Sequence, residues 1–446
     1  MAFSPDKEAK HWNVNIITRR NFCRRVLTLG VIGSSMPPLL LGSCSGPMPT
    51  TNNILWHSEE DEDGSFSYLA ERFSKAHPDI QVQQKLLTPG SSDSSHDDIV
   101  KHLQASQYRP DVISLDVVWV SEFVTNGWIE PLDTYWQPRQ DRNNYLPVPL
   151  NVVKMGGKIW AAPLHTDIGV LFYRTDIFSS PPRTWDDLKR MALDAQKSRK
   201  TRYGYVWQGA QYEGLVCNFI EVLSSFGGNI FDPNDPQKVI VYSPKAVKAL
   251  QMMVDWIHGP DAISPPDVIT YDEPATTGQW VNGDAAFMRN WPSHFFWSND
   301  ARQTKIAEEF TVTQLPSAAR SCLGGWQLAI NKFSPHKDEA WTFIQWMLQR
   351  DAQQYLAVKE AFPVTLNSVY NDPYINDLNP FFNKLPSILQ NAQWRPISPY
   401  YPDISNAIQQ NIHQALAQPD QFPPEKALHN LQNDLERIVT QHTKKR

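Results

Sequence analysis

Ile54-Leu55-Trp56-His57 opens the stretch whose reading decides the fold. After this short apolar run, Phe66, Leu69, Ala70 and Phe73 recur at helical spacing, His77-Pro78-Asp79 stops the pattern, and Ile80 to Leu87 resumes an extended one. Strand, helix and strand in that order form a β-α-β unit, which carries parallel strands. Working outward, Asp111-Val112-Ile113-Ser114-Leu115-Asp116 reads as another short buried strand, with Val117 to Asn126 helical behind it and Gly127 closing the turn. Three later stripes predict core-facing helices: Val247, Leu250, Val254 and Ile257; Ala340, Phe343, Ile344, Met347 and Leu348; and Leu428, Leu431, Leu435 and Ile438. Strands alternating with helices mean α/β architecture, in which ligands sit beyond the carboxyl ends of strands.

The composition agrees with a folded chain. Its 446 residues are 41% hydrophobic and 11% aromatic, with 16 Trp, which argues against disorder and leaves room for two to three ordinary domains or two large lobes. With 41 basic against 47 acidic residues there is no general basic field, so a nucleic-acid partner is not expected.

The first 43 residues read as an export signal. Lys7, Lys10, Arg19, Arg20, Arg24 and Arg25 precede an apolar stretch from Val26 to Leu41 that is short and interrupted by Pro37 and Pro38. Thr18-Arg19-Arg20-Asn21-Phe22 resembles a twin-arginine signal, and Leu41-Gly42-Ser43-Cys44 resembles a bacterial lipobox, which makes Cys44 the lipidated first residue of the mature protein. Residues 44–53 then form a flexible tether. Removing residues 1–43 leaves 35 basic and 45 acidic side chains, a net charge of −10. Lipid, and not charge, would hold such a protein to the outer face of the cytoplasmic membrane. Of the remaining cysteines, Cys217 and Cys322 could pair in an oxidising compartment, but they lie in dissimilar contexts far apart in sequence and read instead as two buried free thiols.

No zinc, nucleophile-elbow or P-loop motif occurs, and no metal or cofactor is expected. The acidic run Glu59-Glu60-Asp61-Glu62-Asp63-Gly64 fails as a calcium loop, because the twelfth position counted from Glu59 is Ala70 where a bidentate Glu is needed. Several segments instead place a charged group beside an aromatic ring outside any helical stripe: Asp116 with Trp119, His165 with Asp167, Trp207 with Tyr212 and Glu213, Arg289 with Trp291, and Trp326 before Gln327. A sugar needs hydrogen-bonding groups for its hydroxyls and an aromatic face for its C–H surface, and these pairs supply both.

Leu115-Asp116-Val117-Val118-Trp119, the run from Gly204 to Leu215, Ala285-Ala286-Phe287-Met288-Arg289-Asn290-Trp291-Pro292, Leu323-Gly324-Gly325-Trp326 and the run from Arg395 to Pro402 are similar to the trehalose/maltose-binding proteins, a sugar-binding branch of the solute-binding proteins of ABC importers. The resemblance covers the chain from about Ile54 to its last helix. It implies a two-lobed periplasmic-binding-protein fold with a hinge, each lobe a mixed sheet flanked by helices, that closes on a sugar and docks on membrane permease subunits. The implied lobes are 54–165 plus 293–335 and 166–292 plus 336–446. The implied ligand residues are Glu62, Asp116, His165, Asp167, Trp291, Gly325, Trp326 and Arg395, with the Trp rings on pyranose faces, the carboxylates accepting hydroxyl protons and Arg395 presenting a planar fork of donors.

Two positions depart from the family pattern: Ser95 falls where an Arg is a sugar ligand, and His165 where a Tyr stands. Both reshape one sugar subsite, so trehalose, maltose, sucrose and a glucosylglycerol-like osmolyte all remain candidates. The expected protein is a monomeric binding subunit without catalysis. Paired carboxylates beside Trp also suit a secreted glycoside hydrolase, and a surface sensor that binds sugar without transport is a third reading.

Overall fold

The computed structural model describes residues 52–444 apart from positions 60, 62, 89–91, 105–108, 137–143 and 318. The export signal, Cys44, most of the tether and Glu62 therefore lie outside the described residues. The opening unit folds as its pattern dictates. Strands β1 (Asn52–Ser58) and β2 (Ile80–Leu86) pair in parallel, with Ile54 opposite Val82, and helix α1 (Ser65–Ala76) connects them. Phe66, Leu69, Ala70 and Phe73 form the buried face of α1. Part of the acidic run starts this helix: Asp61 Oδ1 accepts from the Phe66 N–H and Oδ2 from the Ser67 N–H, both at 2.8 Å. A carboxylate there satisfies donors that the first turn leaves open. β1 also begins earlier than its apolar run, because Asn52, read as tether, is anchored by its amide to Glu339 Oε1 at 2.6 Å.

The other strands that build the core are β3 (Val112–Asp116), β4 (Ala162–Ile168), β5 (Val170–Arg174), β6 (Tyr203–Val206), β7 (Ala285–Asn290), β8 (Phe310–Thr313) and β9 (Leu323–Ile330). They divide between two mixed sheets. One runs β2-β1-β3-β9-β4, with β9 antiparallel to both neighbours; the other runs β8-β5-β7-β6, with only β7 and β6 parallel.

The helices that matter for the site are α2 (Glu213–Ser225), α3 (Pro244–His258), α4 (Glu273–Val281), α5 (His294–Asn299), α6 (Lys337–Met347), α7 (Arg350–Lys359), α8 (Tyr401–Ala417) and α9 (Pro424–Thr443). The three stripes fall on α3, α6 and α9, where Leu250, Val254 and Ile257, Ala340, Phe343, Ile344 and Met347, and Leu428, Leu431 and Leu435 are buried. Helix α6 packs on β1 and α1, whereas α8 and α9 pack on α3. Among the described residues no helix is long and apolar enough to cross a membrane.

A single residue, Gly169, separates β4 of one sheet from β5 of the other. A Cβ there would stand 1.9 Å from Glu221 Oε1 and 2.5 Å from Arg289 Nη2, so the crossing admits no side chain. Gly325, in β9, has φ +114°, and its Cβ would lie 2.5 Å from Thr166 Cα. That backbone region is open essentially to glycine alone. Gly325→Ala is therefore expected to lower the unfolding free energy by at least about 1–3 kcal/mol from backbone strain, read as a drop in the midpoint of thermal or denaturant unfolding; an unchanged midpoint would contradict the geometry.

Candidate ligand cleft

Between the two sheets lies a cleft of about 320 Å³. Its wall is assembled from element ends, as expected for ligands beyond the carboxyl ends of strands. Asp116 ends β3, Asp167 nearly ends β4, Gly324, Gly325 and Trp326 start β9, and Trp291 follows β7. Glu213 and Glu273 open helices α2 and α4, and Glu360 follows α7.

One buried cation organises this wall. Arg395 Nη2 donates to Asp116 Oδ1 at 2.8 Å, while Nη1 donates to Glu213 Oε1 at 2.8 Å and to Asp116 Oδ2 at 3.3 Å. Glu213 also accepts from the hydroxyls of Tyr401 and Ser405 on α8. The donor fork expected to face a ligand is thus engaged within the protein at both Nη atoms. Arg395 Nε–H is buried and finds no acceptor among the described residues.

A second buried cation supports an aromatic ring. Arg289 donates to Glu221 through Nε at 2.9 Å and Nη2 at 2.6 Å, and its guanidinium lies 4.0 Å from the centre of the Trp291 ring. Trp291 Nε1 donates to Glu273 Oε1 at 3.0 Å, and Glu273 Oε2 accepts from the Tyr212 hydroxyl at 2.6 Å. The indole is therefore fixed from beneath and along its edge. Trp326 is set by an edge contact with Trp119, centroids 5.4 Å apart. Across the cleft, His165 stacks on Phe362 at 4.1 Å, and its Nε2 donates to Glu59 at 3.0 Å.

Burial makes Glu59, Asp167, Glu213 and Glu360 reluctant to ionise. Desolvation lifts Asp167 to about 7 against the pull of His165, and lifts Glu360 to about 7 as well. Desolvation opposes the charge on His165, but the neighbouring Glu59 outweighs it and raises the imidazole above its ordinary value. Burial, with Arg289 nearby, lowers His294 to about 4, so that ring is neutral at physiological pH. The outcome is a cleft rich in carboxyl groups yet restrained in charge. Among the described residues no group of three or more His, Cys, Asp or Glu side chains is arranged to hold a metal ion.

Comparison with known proteins places this geometry. The model of the bacterial extracellular solute-binding proteins matches residues 56–354. A probable ABC transporter-binding protein of Deinococcus radiodurans is 33% identical over 355 residues, covering 76% of this chain and 82% of that protein. The chain belongs to the bacterial extracellular solute-binding proteins. The maltose-bound MalE3 of T. maritima superposes with a TM-score of 0.81 at 36% identity, covering 87% of this chain and all of that one. A maltotriose-binding protein of Pyrococcus abyssi is 24% identical, covering 86% of this chain and 81% of that protein. The solute-binding protein is accordingly two-lobed, exported and a substrate-binding component of an ABC transporter, and the hydrolase reading falls away with the family.

In this solute-binding protein the fold brings Asp116, His165, Asp167, Trp291, Gly325, Trp326 and Arg395 to one cleft, with Ser95 beside them. Trp207 is core instead, its Nε1 donating to Ser264 Oγ at 3.1 Å, and Arg289 is a support beneath Trp291. Glu59, Glu273 and Glu360 escaped the sequence reading; Glu59 sits just past the carboxyl end of β1, where strand phase alone could have singled it out from its acidic neighbours. Trp297 is a further addition, its Nε1 donating to Asp63 Oδ2 at 3.1 Å between elements flanking different sheets. Because Arg395 neutralises two buried acids, Arg395→Met is expected to cost about 3–5 kcal/mol of stability, measured by chemical denaturation. A loss below 1 kcal/mol would show that the ion cluster is not what the geometry implies.

Proposed function

We propose that this protein captures a disaccharide or comparable glucoside between its lobes and delivers it to membrane permease subunits, acting as a monomer anchored by lipid at Cys44. The supporting observation is one cleft holding Trp291 and Trp326 together with Asp116, Asp167 and Arg395. Ring faces match the C–H surface of a pyranose, and the Asp167 and Glu360 carboxyls, lifted by burial to about 7, suit hydroxyls, which both donate and accept. An anionic ligand would meet a wall of acids whose guanidinium group, on Arg395, is already paired with Asp116 and Glu213. Maltose, carried by the T. maritima relative, trehalose, sucrose and glucosylglycerol are the ligands to test. Glu62 belongs to the proposed ligand set by resemblance.

The proposed lobes follow the sheets. The first carries β1 to β4, β9, α6 and α7; the second carries β5 to β8 with α2 to α5, α8 and α9. Relative to the sequence expectation, residues 294–299 and 310–313 pass to the second lobe and 166–168 and 337–359 to the first, because α5 packs on α4, β8 pairs with β5, β4 pairs with β9 and α6 packs on β1.

In a panel of these glucosides read by calorimetry and tryptophan emission, at least one is expected to bind and raise the melting temperature by mass action. A flat response across the panel would sink the sugar assignment. Trp326→Ala should weaken the cognate ligand by roughly 1–3 kcal/mol, the loss of one stacking face.

The acids give a pH signature of definite sign. A ligand hydroxyl donating to Asp167 requires its carboxylate, yet in the empty cleft that group titrates at about 7. Binding then releases a proton, so affinity is retained above pH 7 and falls roughly tenfold from pH 8 to pH 6. Asp167→Asn should flatten this profile, leaving the part due to Glu360; an unaltered profile would remove Asp167 from the ligand contacts.

A further inference from the structure

Cys217 and Cys322 are 105 positions apart in sequence, and both are buried. The fold brings them together. Cys217 lies on α2, one turn before Glu221, and the Cys322 backbone N–H donates to Glu221 Oε1 at 3.0 Å. The Cys322 carbonyl accepts from the Gly169 N–H at 3.2 Å, which fixes the residue at the crossing between the sheets. Both residues thus stand beside the Glu221 carboxylate, near enough for Cys322 to raise the Cys217 thiol, and Cys217 also lines the cleft. An exported protein works where thiol pairs meet disulfide oxidants.

We propose that Cys217 and Cys322 are the two halves of a disulfide that the exported protein acquires, joining the α2 helix to the base of β9. The reaction is thiol–disulfide exchange. One protein thiolate attacks a disulfide of the donor, a low-molecular-weight or protein disulfide, to give a mixed disulfide and one donor thiolate. The second protein thiolate then attacks the protein sulfur and expels the other donor thiolate. Two protein thiols become one S–S bond, the donor disulfide becomes two thiols, and the protons lost by the protein end on the donor.

Contact with Cys322 and burial push the Cys217 thiol well above its ordinary value, so exchange in the folded protein is slow. The bond is therefore made during folding or through the cleft wall that Cys217 reaches. Once made, it is shielded from reductants, which marks it as structural. Side-chain rotation at both residues would bring the sulfurs to the bonding distance of about 2.05 Å. The bond would close a long loop and stabilise the fold chiefly by narrowing the denatured ensemble. It would also hold the cleft end of α2, where Glu213 sits, against the strand that presents Gly324, Gly325 and Trp326. None of this depends on which sugar fills the cleft.

The test uses the exported full chain, both as isolated and after refolding with oxidised glutathione. The protein is denatured in an alkylating agent without reductant, weighed intact and mapped as peptides. The expected result is no alkylation at either cysteine and a cross-linked pair of peptides carrying Cys217 and Cys322 that separates on reduction. Full alkylation of both residues in the isolated and refolded samples would overturn the proposal. Oxidised protein is expected to melt several degrees above reduced protein, and the Cys217→Ala/Cys322→Ala double variant to melt at one temperature with or without reductant. Equal melting of the oxidised and reduced forms of the native sequence would overturn the stabilising role assigned to the bond.

Discussion

The structure depends on one constraint above others: a guanidinium taken out of water must find its counter-charges where it is buried. Arg395 finds them at the end of β3 in one sheet and at the start of α2 beside the other, through Asp116 and Glu213. Stranding such a charge costs several kcal/mol, while the net gain over an apolar contact is small. The cluster therefore acts through geometry more than through bulk stability. It requires the two halves of the molecule to converge at one point, and Tyr401 and Ser405 of α8 fix the far side of Glu213.

The second buried cation does related work inside one half. Arg289 is held by Glu221 and Gln208, and its flat face lies under Trp291. The ring is therefore positioned before any ligand arrives. Ordering a side chain on binding costs about 0.5–1.5 kcal/mol, and a preset indole avoids that cost. The absence of a side chain at Gly169 is part of the same arrangement, since the Glu221–Arg289 pair occupies the space that a Cβ would take.

How legible this was depends on the range over which each feature is encoded. The β1-α1-β2 unit was readable because buried parallel strands are apolar runs and the helix between them keeps its period. The insertion of β9 between β3 and β4 was not, because that pairing joins segments some two hundred residues apart and leaves no local mark. Asp116, Asp167 and Trp291 were visible as polar or aromatic residues at strand ends. Glu273 and Glu360 were not, since a carboxylate beginning or following a helix is commonplace and only the tertiary fold turns these two inward. Trp207 shows the converse: its neighbours Tyr212 and Glu213 line the cleft while the indole itself is core.

The α2 helix carried a pattern that local reading passes over. Glu213, Cys217 and Glu221 recur every fourth residue in a helix whose residues from Glu213 to Leu223 are all buried. Residues at that spacing share a face, and polar groups in such a face need partners of their own. The two carboxylates have different ones: Arg395 at the first position, and Arg289 with the Cys322 N–H at the third. Each partner belongs to a segment at or near the passage between the sheets. A helix tied to that passage at two points, two turns apart, cannot slide along it without breaking buried polar contacts.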